Sequence, residues 1–489
     1  MKDCVQKDTL YDVLIVGAGV MGAMTARKLS RYNVKTLVVE RAGDIGEGAT
    51  KANSGILYAG FHPRGGSLKG ISCVEGNKAY DQICEELGVS MERIGSLFVA
   101  FHPEGEDKLE EKYRKGLKNG AEGMKIISGD EVRAMEPALS ERVTKALYAP
   151  TTAIISPFEL IWALSLSAHK NGVDFVFDTE VTGVENKGDY YEVQTNQGIY
   201  KARYVVNTAG EGADVIESFV RPQDLEIKPR RGEYYIFDKQ KSHPLIKHVI
   251  YQAQETDEGG TLITPTVDGN IIAGPTSENV PGFEHRETSK NGLAHVERVC
   301  KKVLPDIDMS QVIGSFAGVR ANIMNIEKER KDFVVRVSSD RMVSALGIKN
   351  PGMTASPYLT DMIVQFLNDE GLELNENPDY QARVTLPVPF LKETPERQAE
   401  LFSQDPAFAH VLCRCEEITE GDILRILRGP LPPRNFNGLK LRLRVGMGRC
   451  QGGFCTSKIL ELLCKEWKCE PWEIFKYEDK SNLVKGWVK

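Results

Sequence analysis

Two pairs of cysteines near the end of this 489-residue chain have the spacing most suited to chemistry. In Cys413-Arg414-Cys415 one residue separates the thiols, and in Cys450-Gln451-Gly452-Gly453-Phe454-Cys455 four residues do. Zinc ribbons and fingers space the thiolates of each arm about two to four residues apart, so this combination fits zinc poorly. An iron–sulfur cluster held by four thiolates accommodates it better, and a chain that carries such a cluster moves single electrons.

A second chemical signal lies at the other end. Tyr11-Asp12-Val13-Leu14-Ile15-Val16 reads as a buried parallel strand and runs into Gly17-Ala18-Gly19-Val20-Met21-Gly22. In this context Gly17 permits the tight turn, Gly19 lets the backbone approach a pyrophosphate, and Gly22 lets the following helix pack closely with its N–H groups toward the phosphates. Residues 23–29 supply that helix, and a second strand, Thr36-Leu37-Val38-Val39, ends at Glu40, which can accept hydrogen bonds from ribose hydroxyls. Taken alone, the fingerprint fits NAD as well as FAD.

The elements that must position these groups need more than one domain at this length. With 62 basic and 69 acidic side chains, a formal charge of −7 and 41% apolar residues, the composition is that of a mildly acidic globular protein without a nucleic-acid surface. No apolar stretch approaches the roughly 18 residues of a membrane span, and the first residues have no long apolar segment before a cleavage site, so the cytoplasm is the expected location. Cys4, Cys73, Cys84, Cys300, Cys464 and Cys469 are scattered and read as reduced thiols. Residues 1–368 alternate strands, helices and Gly/Pro turns. Residues 369–408 are polar and punctuated by Pro378, Pro387, Pro389, Pro395 and Pro406, which is linker composition, and residues 409–489 form the cluster domain and tail.

Three later segments fit a nucleotide domain in order. Asp178-Thr179-Glu180-Val181-Thr182-Gly183-Val184 resembles the strand whose backbone holds an adenine. Arg203-Tyr204-Val205-Val206-Asn207-Thr208-Ala209-Gly210 is a strand ending in small residues. Ala345-Leu346-Gly347-Ile348-Lys349-Asn350-Pro351-Gly352-Met353-Thr354 precedes a helix whose N–H groups could meet a flavin edge. Together these residues resemble the D-amino-acid oxidase superfamily over residues 11–368. That resemblance implies FAD and an α/β fold in which a Rossmann-like FAD-binding domain is interleaved with an α+β substrate domain. It implies FAD contacts at Gly17, Gly19, Gly22, Glu40, Arg41, Thr50, Ser54, Gly55, Val181, Ala209, Gly210, Gly352, Met353 and Thr354. The C-terminal cysteines resemble the [2Fe-2S] domain named after bacterioferritin-associated ferredoxin, which implies Cys413, Cys415, Cys450 and Cys455 as ligands.

Two relatives within that superfamily imply different substrates. Arg444-Val445-Gly446-Met447-Gly448-Arg449-Cys450, Gly48-Ala49-Thr50 and Ser315-Phe316-Ala317-Gly318-Val319-Arg320 resemble the large subunit of anaerobic glycerol-3-phosphate dehydrogenase. Asn53-Ser54-Gly55-Ile56-Leu57-Tyr58-Ala59-Gly60, Gly66-Ser67-Leu68-Lys69 and Arg231-Gly232-Glu233-Tyr234-Tyr235 resemble L-2-hydroxyglutarate dehydrogenase. Where the glycerol-phosphate family offers an arginine after the glycine matching Gly60, this chain has Phe61 and His62, with Arg64 slightly later.

The reading that follows is oxidation of a small anionic hydroxy compound, with glycerol 3-phosphate first, L-2-hydroxyglutarate as its rival and an amine or amino acid as a third alternative. Arg320 is the candidate anion fork and His62 the candidate proton acceptor, while Arg230 and Arg231 read as a solvated basic doublet. Electrons would leave through the cluster to an acceptor protein or a companion flavoprotein subunit, in a complex held at the inner face of the membrane by that partner. Arg414, Arg442, Arg444, Arg449 and Lys458 are candidates to balance the cluster's charge or to dock the acceptor.

Overall fold

The apolar run at the start becomes the strand Leu10–Val16 near the middle of an eight-stranded sheet. It pairs in parallel with Thr36–Val39 on one side and Gly198–Asn207 on the other, and the parallel core continues to Asp174–Val176 and Met342–Leu346. All four side chains of Thr36–Val39 are buried, as expected of a strand covered on both faces. Two antiparallel hairpins, Val181–Asn186 with Tyr191–Thr195 and Val334–Ser339 with Met342–Leu346, finish the edges. The helices Val20–Leu29, Pro157–Lys170 and Gly352–Asp369 pack together beside this sheet, and Leu68–Leu87 packs on Gly352–Asp369. The structure is a computed structural model and describes residues 9–239, 245–253, 260–477 and 480–486; Cys4 lies outside them.

A second, nine-stranded sheet is assembled from distant parts of the chain. Leu225–Phe237 and Val312–Asn325 pair antiparallel along their whole length, placing Arg230 opposite Arg320. Ser96–Ala100 joins the same sheet by pairing in parallel with Val249–Gln252. Because the chain returns to the first sheet at Met342–Leu346, the nucleotide and substrate layers are interleaved, as the expected α/β architecture requires.

Residues 369–408, the expected linker, are in part packed on their neighbours. The backbone of Asn33 donates to the Asn375 carbonyl, that of Asn377 to Arg31 and that of Val384 to Glu86, so the first part is strapped to the main body. Beyond it, Pro395–Gln404 is a helix with its proline in the first turn and a Thr394 cap, and Phe390, Leu401 and Phe408 form a small core of their own. Of the prolines that read as linker punctuation, Pro395 and Pro406 start helical turns, where a missing N–H costs nothing, whereas Pro378 and Pro387 lie outside helices.

The C-terminal module contains a short hairpin, Val411–Cys413 with Ile418–Thr419, and the helices Glu420–Leu427, Phe436–Leu443 and Thr456–Trp467. Its apolar residues Leu439, Val445, Ile459 and Leu463 are continuous with the core around Val20–Leu29 and Pro157–Lys170. No helix among the described residues is long and apolar enough to cross a membrane.

Candidate active site and cluster centre

The nucleotide turn is built by close backbone approach. A Cβ on Gly22 would lie 1.9 Å from the Gly17 carbonyl oxygen, so the helix can sit against the turn only with glycine there. Gly17 itself adopts φ +99°, a conformation that side chains disfavour. Gly19 is the extended N-cap of Val20–Leu29 and caps it with no side chain; a Cβ there would meet only Thr50 Oγ1, at 3.4 Å. The open space before a helix N-terminus is what a pyrophosphate requires, and any intolerance of a side chain at Gly19 comes from the ligand rather than from the protein. Thr50 Oγ1 accepts from the Val20 N–H at 3.1 Å.

The other candidate FAD contacts cluster around this turn and its extension. Glu40 accepts from the backbone N–H of Ala18 at 2.7 Å and Ala42 at 2.9 Å, which fixes the acid at the strand end, and burial raises its pKa. Arg41 pairs with Glu211, beside Ala209 and Gly210. Val181 opens the edge hairpin; the residues before it form a turn, with Asp178 at φ +52°, rather than the expected strand. Gly352, Met353 and Thr354 form the first turn of Gly352–Asp369, and Thr354 Oγ1 accepts from the Tyr58 N–H at 3.1 Å, tying that turn to the Ser54–Gly55 segment. The residues present thus fit FAD.

Beside this crevice lies a cavity of about 320 Å³ that contains both sequence-derived catalytic candidates, His62 and Arg320. Tyr58, Tyr251 and Gln252 line it with Lys69, Lys108, Lys112, Arg230, Arg330 and Lys349. No acidic residue lines it among the described residues. Arg320 has no carboxylate partner among them either: its Nη2 donates to the Thr276 carbonyl at 2.7 Å, and its Nε is buried without a partner. His62 Nε2, Tyr251 Oη and Gln252 Oε1 are also buried and unpartnered. Buried polar atoms are rarely left unsatisfied, so four of them around one cavity mark a place for a polar ligand.

The cavity's electrostatics follow from this crowding. Burial, then the nearby lysines Lys112, Lys69 and Lys115, holds the His62 imidazole well below its ordinary range, leaving it neutral. Burial, then Lys69, Arg330, Arg320 and Arg230, brings Lys349 down to about 7, and burial brings Lys69 down to about 8 against the attraction of Asp332. Lys349 Nζ donates to Asn322 Oδ1.

Arg230 and Arg231 are not the solvated doublet the sequence suggests. Both are buried; Arg230 reaches the cavity and donates to Ser277, while Arg231 pairs with Glu233, Glu278 and Glu287. Tyr58, Tyr251, Gln252, Asn322, Arg330, Lys349 and the helix-borne Lys108 and Lys112 were not legible as site residues. The four-residue spacing of Lys108 and Lys112 on Pro103–Asn119 was their only signal.

The four cysteines come together in two thiol pairs, Cys413 with Cys455 and Cys415 with Cys450, each pair taking one member from each motif. Backbone N–H groups of Glu416 and Gly446 point at Cys413, and those of Gly452 and Phe454 at Cys450. A Cβ on Gly448 would lie 2.2 Å from the Cβ of Cys415, so this loop closes on the sulfurs only with glycine. Among the described residues the thiols meet as two pairs and not as one closed metal-holding group, so the match to a two-iron cluster lies in the set of four cysteines and the N–H donors around them. Cys464 and Cys469 hydrogen-bond to each other, apart from this set.

The expected cationic belt has a different job. Arg442 is buried in a bidentate pair with Asp44, at 2.6 and 2.9 Å. Arg444 binds Asp268 at 2.6 Å and Glu416 at 3.1 Å, Arg449 meets Asp238 at 3.3 Å, and Lys239 reaches Glu416 at 2.8 Å. Arg444–Glu416 lies within the module, the other pairs clamp it to the main body, and Arg414 and Lys458 remain exposed.

Comparison with known proteins agrees with both halves. Residues 12–365 match the DAO family of FAD dependent oxidoreductases, and residues 411–465 match the BFD-like [2Fe-2S] binding domain. A glycerol 3-phosphate dehydrogenase of Caloramator mitchellensis is 36% identical over 482 residues, spanning 98% of this chain and 99% of its own. The human mitochondrial L-2-hydroxyglutarate dehydrogenase is 26% identical over 408 residues, spanning 72% of this chain and 88% of its own. The structure of L-alpha-glycerophosphate oxidase from Mycoplasma pneumoniae with FAD bound superposes with a TM-score of 0.72 at 27% identity, covering 78% of this chain and all of that one. With a family match over most of its length and a relative 36% identical along nearly all of it, the chain belongs to the DAO family of FAD dependent oxidoreductases and ends in a BFD-like [2Fe-2S] binding domain.

Proposed function

We propose that this enzyme oxidises glycerol 3-phosphate to dihydroxyacetone phosphate and delivers the two electrons singly, through its cluster, to a partner protein. The observation that carries the substrate class is Arg320, a guanidinium with no carboxylate partner among the described residues, set in a cavity with several further cations. A planar fork of this kind suits a phosphate or carboxylate. Similarity to the Caloramator glycerol 3-phosphate dehydrogenase along nearly the whole chain favours the phosphate.

The roles of the side chains follow. Arg320, assisted by Lys349 and Lys69, holds the anion, which fixes the carbinol carbon at the crevice side of the cavity. His62, neutral and with a free Nε2, accepts the hydroxyl proton as the C–H bond breaks. Loss of one proton and one hydride turns the secondary alcohol into a ketone. FAD, when bound, supplies the two-electron hydride acceptor, and the [2Fe-2S] cluster, when bound, supplies single-electron steps. The apolar walls Phe98 and Leu262 limit water around the reacting carbon. The partner and a cytoplasmic site of action, at the inner face of the membrane through that partner, belong to the same proposal.

L-2-hydroxyglutarate is the second reading, favoured by Phe61 and His62 standing where the glycerol-phosphate family has an arginine. The cationic lining argues against a protonated amine. Anaerobic stopped-flow mixing separates the three: glycerol 3-phosphate is expected to bleach the flavin rapidly, and bleaching by 2-hydroxyglutarate alone would transfer the assignment to the rival.

A further inference from the structure

The proposal above leaves open where electrons leave the molecule, and the cluster module has one face suited to it. The ion pairs Arg442–Asp44, Arg444–Asp268, Arg449–Asp238 and Lys239–Glu416 fix the module against the main body. Gln451 lies beside Gly314, and the Ala52 carbonyl lies against Gly318 on the same strand, so one side of the cysteine loop faces the flavin crevice about 13 Å along that strand. A module held this way presents the same outward side at every turnover.

On that outward side Phe454 is 78% exposed, beside the ligand candidate Cys455 and four residues from Cys450. It serves no core, and the neighbouring Gly453 and Ser457 are exposed as well. Arg414, between Cys413 and Cys415, and Lys458, one helical turn beyond Phe454, stand exposed. Glu417 and, three residues beyond Lys458 on the same helix, Glu461 are exposed acids in this stretch, while Glu416 is buried and occupied by Lys239 and Arg444. An exposed aromatic with a cationic rim has the anatomy of a small interface centre.

We infer that the Phe454–Arg414–Lys458 face is the docking surface for an acidic one-electron carrier protein, which collects the two electrons in two successive encounters. The inference rests on the proposed electron path. Charge complementarity selects the occupant: the chain as a whole carries −7, so an acidic carrier is repelled by the body and attracted at this face, which orients it toward the thiol pairs.

The test uses the holoenzyme and two protein acceptors, native cytochrome c, which is basic, and cytochrome c made acidic by succinylation of its lysines. Flavin bleaching by substrate is measured first without acceptor, so failure of the substrate assignment is recognised separately. Succinylated cytochrome c is expected to be reduced faster than the native form, at a rate that falls as salt rises from about 20 to about 200 mM. Lys458→Glu and Phe454→Ser should each cut that rate on the order of tenfold, with iron, sulfide and flavin bleaching unchanged. Arg414→Gln, adjacent to two ligand candidates, serves as a third variant only if its iron content is intact. Equal reduction of both cytochromes, or full rates in the Lys458→Glu and Phe454→Ser variants with clusters present, would overturn the inference. Phe454-dependent sedimentation with anionic phosphatidylglycerol vesicles, with cytochrome reduction unaffected by the variants, would assign the face to a lipid surface instead.

Discussion

The substrate cavity and the cluster module are both rich in arginine and lysine, yet they use the charge in opposite ways. In the cavity, Arg320 is held by neutral oxygens and keeps its fork unneutralised, at the expense of crowding that pulls Lys349 and Lys69 toward neutrality. In the module, Arg442, Arg444 and Arg449 each meet an acid of the main body. A cation without a carboxylate is a binding capability held in reserve; a cation with one is a joint. The difference separates ligand recognition from architecture in a way that counting charges cannot.

Breaking each region in turn sharpens this contrast. The largest effect is expected at the thiols: Cys450→Ser should remove essentially all iron while FAD stays bound, read by iron, sulfide and flavin content, and simultaneous loss of FAD would show the two centres to be interdependent. Next is the joint. Arg442→Ala leaves Asp44 buried without its partner, for which a cost of about 3–5 kcal/mol is expected. Lower thermal stability and faster proteolysis between the two parts should report it, and a double change to Asp44→Asn with Arg442→Gln should recover part of the loss.

The cavity should respond in function rather than stability. Arg320→Lys keeps the charge and loses the bidentate fork, so kcat/KM should fall by about 1.5–3 kcal/mol equivalent with unchanged thermal stability. A drop in stability without a drop in kcat/KM would make Arg320 a joint like Arg442.

The smallest effect is a pH dependence whose sign is fixed. Lys349 at about 7 and Lys69 at about 8 are both depressed from the usual lysine value, so each is charged below its folded pKa and neutral above it. A bound anion favours the charged forms, so binding takes up protons and affinity must fall as pH rises from about 7 to about 9. In the apo-protein the same depression lowers stability as pH falls from the unfolded lysine value toward these folded values, because the unfolded chain binds the extra protons. Flavin difference spectra with substrate analogue should show the weakening of affinity, and Lys349→Met should flatten its lower-pH part. An affinity that rises with pH would contradict the assignment.

The fold and the identity of the cofactors were legible because they depend on local order along the chain. Strand, Gly17, Gly19, Gly22, helix and Glu40 are contiguous, and the four cysteines sit in two short motifs. The cavity was only half legible. Arg320 and His62 fall in segments that carry a family likeness, but Tyr251, Gln252 and Arg230 reach the site because Leu225–Phe237, Val249–Gln252 and Val312–Asn325 lie in one sheet, a relation set by long-range pairing. Arg442, Arg444 and Arg449 were visible as charges but not as joints, since Asp44, for example, lies 398 residues from Arg442 in sequence. In residues 369–408 the helical turns at Pro395 and Pro406 were hidden for a related reason, as prolines mark loops and first helical turns alike.

The segment that follows Glu40 is gripped from both sides. Glu40 and Thr50, candidates for holding the nucleotide, bracket Asp44, which holds Arg442, while Gly43 lies against Asn435 and Lys51 sits over the Tyr477 ring. A short stretch of chain that serves two binding events makes each an effector of the other, and thermodynamic reciprocity then requires equal exchange: whatever factor the docked module adds to FAD affinity, FAD adds to the docking of the module. The cofactor and the C-terminal module are in this sense mutual ligands, and a weakened Asp44–Arg442 pair should appear as a raised FAD dissociation constant although neither residue is a candidate FAD contact.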